Sequence, residues 1–103
     1  MTISTRFKGE TIDLHTTEYA VPFSNPLAVT AWKREADEMY DCLSMNLPQY
    51  ATSNDRCFFV SSDTYSRELV THLREHGIIT PTGKVVTYGN FHSRATEYEL
   101  TAG

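Results

Sequence analysis

In ISTRFKGETIDLH, Ile12 and Leu14 alternate with polar neighbours, the two-residue period of a half-buried strand. Lys8-Gly9 separates the two arms, so a hairpin is expected there. EYAV (18–21) reads as a short continuing strand, and PFSNP, with Pro22 and Pro26, breaks regular structure. The next stretch carries two patterns. LAVTAW (27–32) is an apolar, strand-like run, yet Trp32, Ala36, Met39, Tyr40 and Leu43 also line one face of a helix. CLSMNLP then alternates Leu43, Met45 and Leu47 with polar residues and stops at Pro48, as a strand would. From periodicity alone, 32–43 is open between hairpin arm and helix, with a slight preference for helix.

QYATSND (49–55) is a polar loop, and RCFFVSS (56–62) a buried strand. The clearest helix follows over 64–76. Asp63 or Thr64 can cap it, and Tyr65, Leu69, Val70 and Leu73 supply its apolar face. Gly77 stands where a left-handed residue ends a helix, and Ile78 and Ile79 re-enter the core. Thr80-Pro81-Thr82-Gly83 has the form of a type I turn. KVVTYG and HSRATEYEL are the last strands, broken around Gly89-Asn90. The expected core is Val29, Leu43, Met45, Leu47, Phe58 and Val60, joined by Leu69, Leu73, Ile78 and Val86.

The 103 residues are enough for one domain, 1–103, and 40% hydrophobic with 21% charged residues fits a folded soluble chain. No apolar run approaches a membrane span, so no membrane partner is expected. MTISTRFKGE lacks the apolar stretch of a signal peptide, so a cytoplasmic location in a bacterial host is expected. The net charge of −4 is unevenly spread. Residues 1–55 carry four basic and eight acidic side chains, and residues 56–103 carry five of each. Neither half is basic, which argues against an extended nucleic-acid surface, and four net charges cannot imitate the charge density of duplex DNA. Cys42 and Cys57 are read as small core residues.

His72-Leu73-Arg74-Glu75-His76 spells H-x-x-E-H, in which His72 and His76 share a helix face and Glu75 would be the base of a metal-dependent hydrolase. A third ligand is missing nearby, with only Glu97 or Glu99 downstream, so partly packed histidines are the expected reading and no cofactor is implied. Gly77 to Lys84 fails the phosphate-loop pattern in spacing and in element order, and no G-x-S-x-G elbow is present. A nucleic-acid regulator would need Arg56, Arg67, Arg74, Lys84 and Arg94 on one face. The densest charge feature is Glu35, Asp37, Glu38 and Asp41, beside Trp32 and Tyr40. An aromatic anchor with an acidic rim is what a basic protein partner would meet.

Leu27-Ala28-Val29, the charged turn, Tyr40, Leu43-Ser44-Met45-Asn46-Leu47-Pro48, Gly77-Ile78, Thr82-Gly83 and Gly89 together resemble a family of small proteins of unknown function encoded on phages, plasmids and integrated elements. The likeness spans about residues 27–100 and departs at Ala36-Asp37, where that family more often has a glycine turn. It implies strand–turn–strand over 27–47, and carries no catalytic residue. The expected fold is α+β, one antiparallel sheet of about five or six strands with the helix on one face. The expected function is a non-enzymatic module that occludes a host protein, such as a defence nuclease or effector complex, in the manner of an anti-CRISPR or anti-restriction inhibitor. Trp32, Glu35, Asp37, Glu38, Tyr40 and Asp41 are its candidate contacts. An exposed edge strand would also permit a homodimer.

Overall fold

A chain rich in Thr, Tyr and Phe folds mainly as strands, whose pleated surfaces suit branched and aromatic side chains. The computed structural model describes residues 2–18, 27–45, 47, 50–62 and 66–101. Its elements run β1 (Thr2–Phe7), β2 (Glu10–Glu18), β3 (Leu27–Lys33), β4 (Glu38–Cys42), β5 (Cys57–Ser61), α1 (Arg67–Glu75), β6 (Ile79–Tyr88) and β7 (Ser93–Leu100). β1 to β4 form an antiparallel meander in chain order. β5, β7 and β6 form a second antiparallel sheet with β7 in the middle. No described helix is long and apolar enough to cross a membrane. The fold is α+β in the broad sense, but two sheets replace the single one expected.

The reason lies at Leu43-Ser44. Val29 would continue the β3–β4 ladder there, but its N–H donates to Ser44 Oγ at 2.8 Å instead of to a carbonyl. Its carbonyl accepts from the N–H of Leu43 at 2.9 Å. A side chain thus closes the ladder at Cys42. Three residues on, Met45 makes an isolated bridge to Phe59 of the second sheet. The alternating Leu43, Met45 and Leu47 are therefore not a strand. Leu43 belongs to the core shared by helix and sheets, while Met45 and Leu47 belong to a smaller core on the far face of the β5–β7–β6 sheet. The helical spacing of Trp32 to Leu43 is overruled by the β3–β4 hairpin; of the strand–turn–strand expected over 27–47, the second strand ends at Cys42.

Several local expectations hold. Lys8 and Gly9 both have positive φ, 50° and 79°, forming the two-residue turn whose twist suits a hairpin. Gly77, at φ 70°, ends α1. There the N–H of Ile78 donates to Leu73 O at 2.9 Å and that of Gly77 to Arg74 O at 3.1 Å, the double bond of a Schellman end. The helix is shorter than 64–76. Asp63, Thr64 and Tyr65 lie outside the described residues, as do residues 19–26 with Pro22 and Pro26, and Pro48. Ser66 occupies the cap position without a side-chain cap bond. Its hydroxyl donates instead to Asp41 Oδ2 at 2.6 Å.

The proposed turn at Thr80–Gly83 is corrected. β6 runs through it, with Pro81 opposite Tyr98 and Val85 opposite Thr96, so Thr82, Gly83 and Lys84 bulge out against Glu97. β6 is an edge strand, where a proline without an N–H is tolerated. Nine of the ten expected core residues are buried, and Met45 is partly so. Cys57 is buried, but Cys42 is exposed, against expectation. Leu69, Val70 and Leu73 of α1 meet Phe7, Ile12, Leu14 and Val29 of one sheet and Phe58, Val60 and Leu100 of the other. Because Leu69 is fully buried in this shared core, Leu69→Ala should cost about 2–5 kcal/mol in urea unfolding monitored by circular dichroism.

Candidate functional site

The expected site divides at a bulge in the β3–β4 hairpin. Ala31 pairs with Asp41 but Trp32 pairs with Met39, leaving Tyr40 as the extra residue. The bulge breaks strict alternation. Tyr40 packs against the shared core, edge-on to Phe7 at 6.4 Å, and Asp41 reaches the hydroxyl of Ser66. These two are therefore internal contacts and not part of an exposed patch. Glu35, Asp37 and Glu38 stay exposed in and beside the turn. Glu35 lies 3.9 Å from Arg6 and Glu38 3.9 Å from Lys33, whereas Asp37 makes no ion pair among the described residues.

Trp32 lies on the outer face of the β1–β4 sheet. Its ring stacks on His15 at 5.6 Å, and its Nε1–H donates to Thr30 Oγ1 at 2.9 Å. Met39, directly opposite, is 52% exposed. Beside them Arg34 grips Asp13 through two bonds of 2.7 and 3.0 Å, and Ser4 donates to the same carboxylate. The Arg34 and Ser4 hydrogen bonds hold the Asp13 carboxyl below the usual range. The face is thus a pre-ordered aromatic and thioether surface beside an acidic turn. A second exposed anchor, Phe91, is 93% exposed between β6 and β7. The Gly89-Asn90 turn signal places that residue at a hairpin tip, but nothing in its own type marked it as exposed.

His72 and His76 do not form a ligand pair. Their rings stack at 4.1 Å, His72 Nε2 bonds Thr5 Oγ1 at 2.8 Å, and His76 Nδ1 meets His72 O at 2.9 Å. No group of three His, Cys, Asp or Glu side chains with metal-site geometry occurs among the described residues. His72 also packs edge-on to Phe7 at 5.3 Å, and Glu68 pairs with Lys8 beside it. The histidine thus fastens the β1–β2 hairpin to α1. Burial, with the charge of His76, lowers its pKa against an opposing pull from Glu75.

Glu97, the distant ligand once considered for that site, is engaged elsewhere. It is fully buried on β7 and accepts from Ser53 Oγ at 2.6 Å, Ser53 N–H at 2.9 Å and Thr82 Oγ1 at 2.6 Å. Burial pushes its pKa up, but these hydrogen bonds and the Lys84 charge outweigh that, and the net shift is downward. The carboxylate ties the loop before β5 to the β6 bulge. Sequence reading missed it because its donors lie 44 and 15 positions away. Nearby, burial pushes the Cys57 thiol up, which favours its protonated form.

The basic residues also divide. Arg56 donates to Leu100 O and Lys84 to Ala51 O, while Arg67 and Arg74 lie on the exposed flank of α1 and Arg94 on β7. No protein-family model, curated protein or solved structure matches the chain.

Glu97 and His72 each have consequences for stability. Glu97→Ala should destabilise by about 3 kcal/mol in urea, since it strands two hydroxyls and an N–H. A depressed carboxyl stabilises the fold above its unfolded pKa and loses that contribution as pH falls through the folded value. Glu97→Gln should therefore shrink the wild-type stability loss on acidification. For His72 the sign is the same in a higher range: protonation is disfavoured in the folded state, so stability should fall as the pH drops below the ordinary histidine value of about 6.5. His72→Gln should flatten that fall in the same titration.

Proposed function

We propose that this chain is a non-enzymatic protein-binding module whose docking surface is the outer face of the β1–β4 sheet. The observation that carries the reading is Trp32, displayed on a solvent-facing sheet and fixed by His15 and Thr30 with Met39 exposed beside it. Large side chains already held in place lose little freedom on binding, which is how a few anchors dominate an interface. The exposed carboxylates of Glu35, Asp37 and Glu38 border this surface and favour a partner with a basic rim. The partner class is a nucleic-acid-handling host protein, whose own basic surface matches that border. The resemblance to mobile-element proteins supports a defence nuclease or effector complex in that role. Occlusion of such a protein asks for a rigid patch and no reaction centre.

The test uses three matched baits: wild type, Trp32→Ala and Phe91→Ser. Phe91→Ser should retain the wild-type unfolding midpoint, and Trp32→Ala, at a half-buried position, should lower it modestly and stay folded at the assay temperature. Wild type and Phe91→Ser should capture one nuclease or effector complex from a lysate with active defence systems, and Trp32→Ala should bind it more than about tenfold more weakly. Replacing Glu35, Asp37 and Glu38 by Ser should lower the on-rate and its salt dependence. Capture lost with Phe91→Ser but kept with Trp32→Ala would move the interface to the β6–β7 tip and overturn this assignment.

A further inference from the structure

Six of the nine basic side chains are committed within the protein. Arg6, Lys8, Lys33 and Arg34 are in ion pairs, and Arg56 and Lys84 donate to carbonyls. The other three, Arg67, Arg74 and Arg94, have no side-chain partner among the described residues. They come from different elements, yet they lie on one side of the molecule. Arg67 and Arg74 are two helical turns apart, about 10 Å along the axis of α1. Both line a cleft of about 220 Å³ between α1 and the β5–β7–β6 sheet. Arg94 precedes Thr96 by two residues on β7, so it stands on the same sheet face as that cleft wall.

Of the cleft's hydroxyls, Thr71 donates to Arg67 O and Ser61 bonds the Tyr88 hydroxyl, but three others are uncommitted. Ser62 Oγ, Thr96 Oγ1 and the Tyr98 hydroxyl take part in no hydrogen bond among the described residues, although each residue lines the cleft. Among the described residues no carboxylate lines it, in a chain whose net charge is −4. Val60, Val70 and the Tyr98 ring supply apolar wall. Elsewhere in this structure polar side chains of this kind are paired: Asp13 with Arg34, Glu97 with Ser53 and Thr82, Asp41 with Ser66. Two guanidiniums and three hydroxyls lining one cleft, with no acceptor for them among the described residues, are the donor set of an anion site.

We propose that this cleft binds a small phosphate monoester. A monoester carries close to two negative charges and three acceptor oxygens, which matches paired guanidiniums better than a carboxylate does. The apolar wall calls for an organic body on the ester, and the volume, room for about seven waters, limits that body to roughly one ring. Arg67 and Arg74 hold the phosphate, Ser62 and Thr96 add hydroxyl donors, and Val60, Val70 and Tyr98 face the ring. The site is on different elements from Trp32 and is independent of the docking surface.

Phenyl phosphate is the probe. Titrated into the full chain and followed by amide nuclear magnetic resonance, it should give saturable shifts at Val60, Thr96 and Tyr98 with a dissociation constant of about 1 mM or tighter. Arg67→Gln and Arg74→Gln should each weaken binding about tenfold, and the double variant should not saturate. Both arginines are exposed and unpartnered, so an unchanged dispersed spectrum will certify the fold of the variants. Inorganic phosphate should bind more weakly, and Trp32→Ala should bind as wild type. Absence of saturable shifts up to about 20 mM, or equal binding by the double variant, would overturn the proposal. So would shifts from a single-stranded oligonucleotide lacking terminal phosphate with none from phenyl phosphate, an outcome that assigns the arginines to a polynucleotide backbone.

Discussion

Two small sheets joined by one isolated bridge, Met45 to Phe59, would not hold together by backbone pairing. What unites them is the apolar core they share with α1. Leu69, Val70 and Leu73 occupy one stripe of a nine-residue helix, too short to persist alone in water. Packed against Phe7, Ile12, Leu14 and Val29 on one side and Phe58, Val60 and Leu100 on the other, the same stripe buries the inner faces of both sheets. Every other contact between the halves, from the Thr5–His72 bond to the Asp41–Ser66 bond, depends on that burial to bring its partners into range.

The second sheet carries a further constraint, because both of its faces are covered. The far face holds Leu47, Phe59, Val86 and Ala95, with Met45, Tyr50 and Tyr88 around them. Glu97 points into that covered face and is fully buried. Burial of an ionised group is tolerated only when hydrogen bonds replace its water. The chain meets that demand by bulging β6 so that Thr82 reaches Glu97, and by folding the loop before β5 so that Ser53 does. One buried charge thereby dictates the path of two distant segments.

The same bookkeeping of partners separates the surfaces. On the outer face of the first sheet, polar side chains are used to hold one another, and what remains for a partner is the ordered apolar surface of Trp32 and Met39. Along the flank of α1 the reverse is true: Arg67, Arg74, Ser62, Thr96 and Tyr98 leave polar side-chain atoms without a bond among the described residues, and apolar groups form the wall. The first arrangement underlies the proposed protein docking surface and the second the proposed anion site. A two-residue pattern in the strands says nothing of this difference, since it depends on which side chains find internal partners.

Local chemistry was legible in the sequence. Lys8-Gly9 specified its hairpin, because only a few residue pairs accept two positive φ values. Gly77 marked the helix end for the same reason, and the apolar periods picked out nine of ten core positions. Trp32 was named from its type and its charged neighbours, and it does face solvent in part. Tyr40 and Asp41 were named with it, and a one-residue bulge turned both inward. The division into two sheets, the burial of Glu97 and the gathering of Arg67, Arg74 and Arg94 were not legible. Each turns on pairing between residues far apart in the chain, and the energy of such pairing is set by packing and partner geometry that exist only once the core has formed.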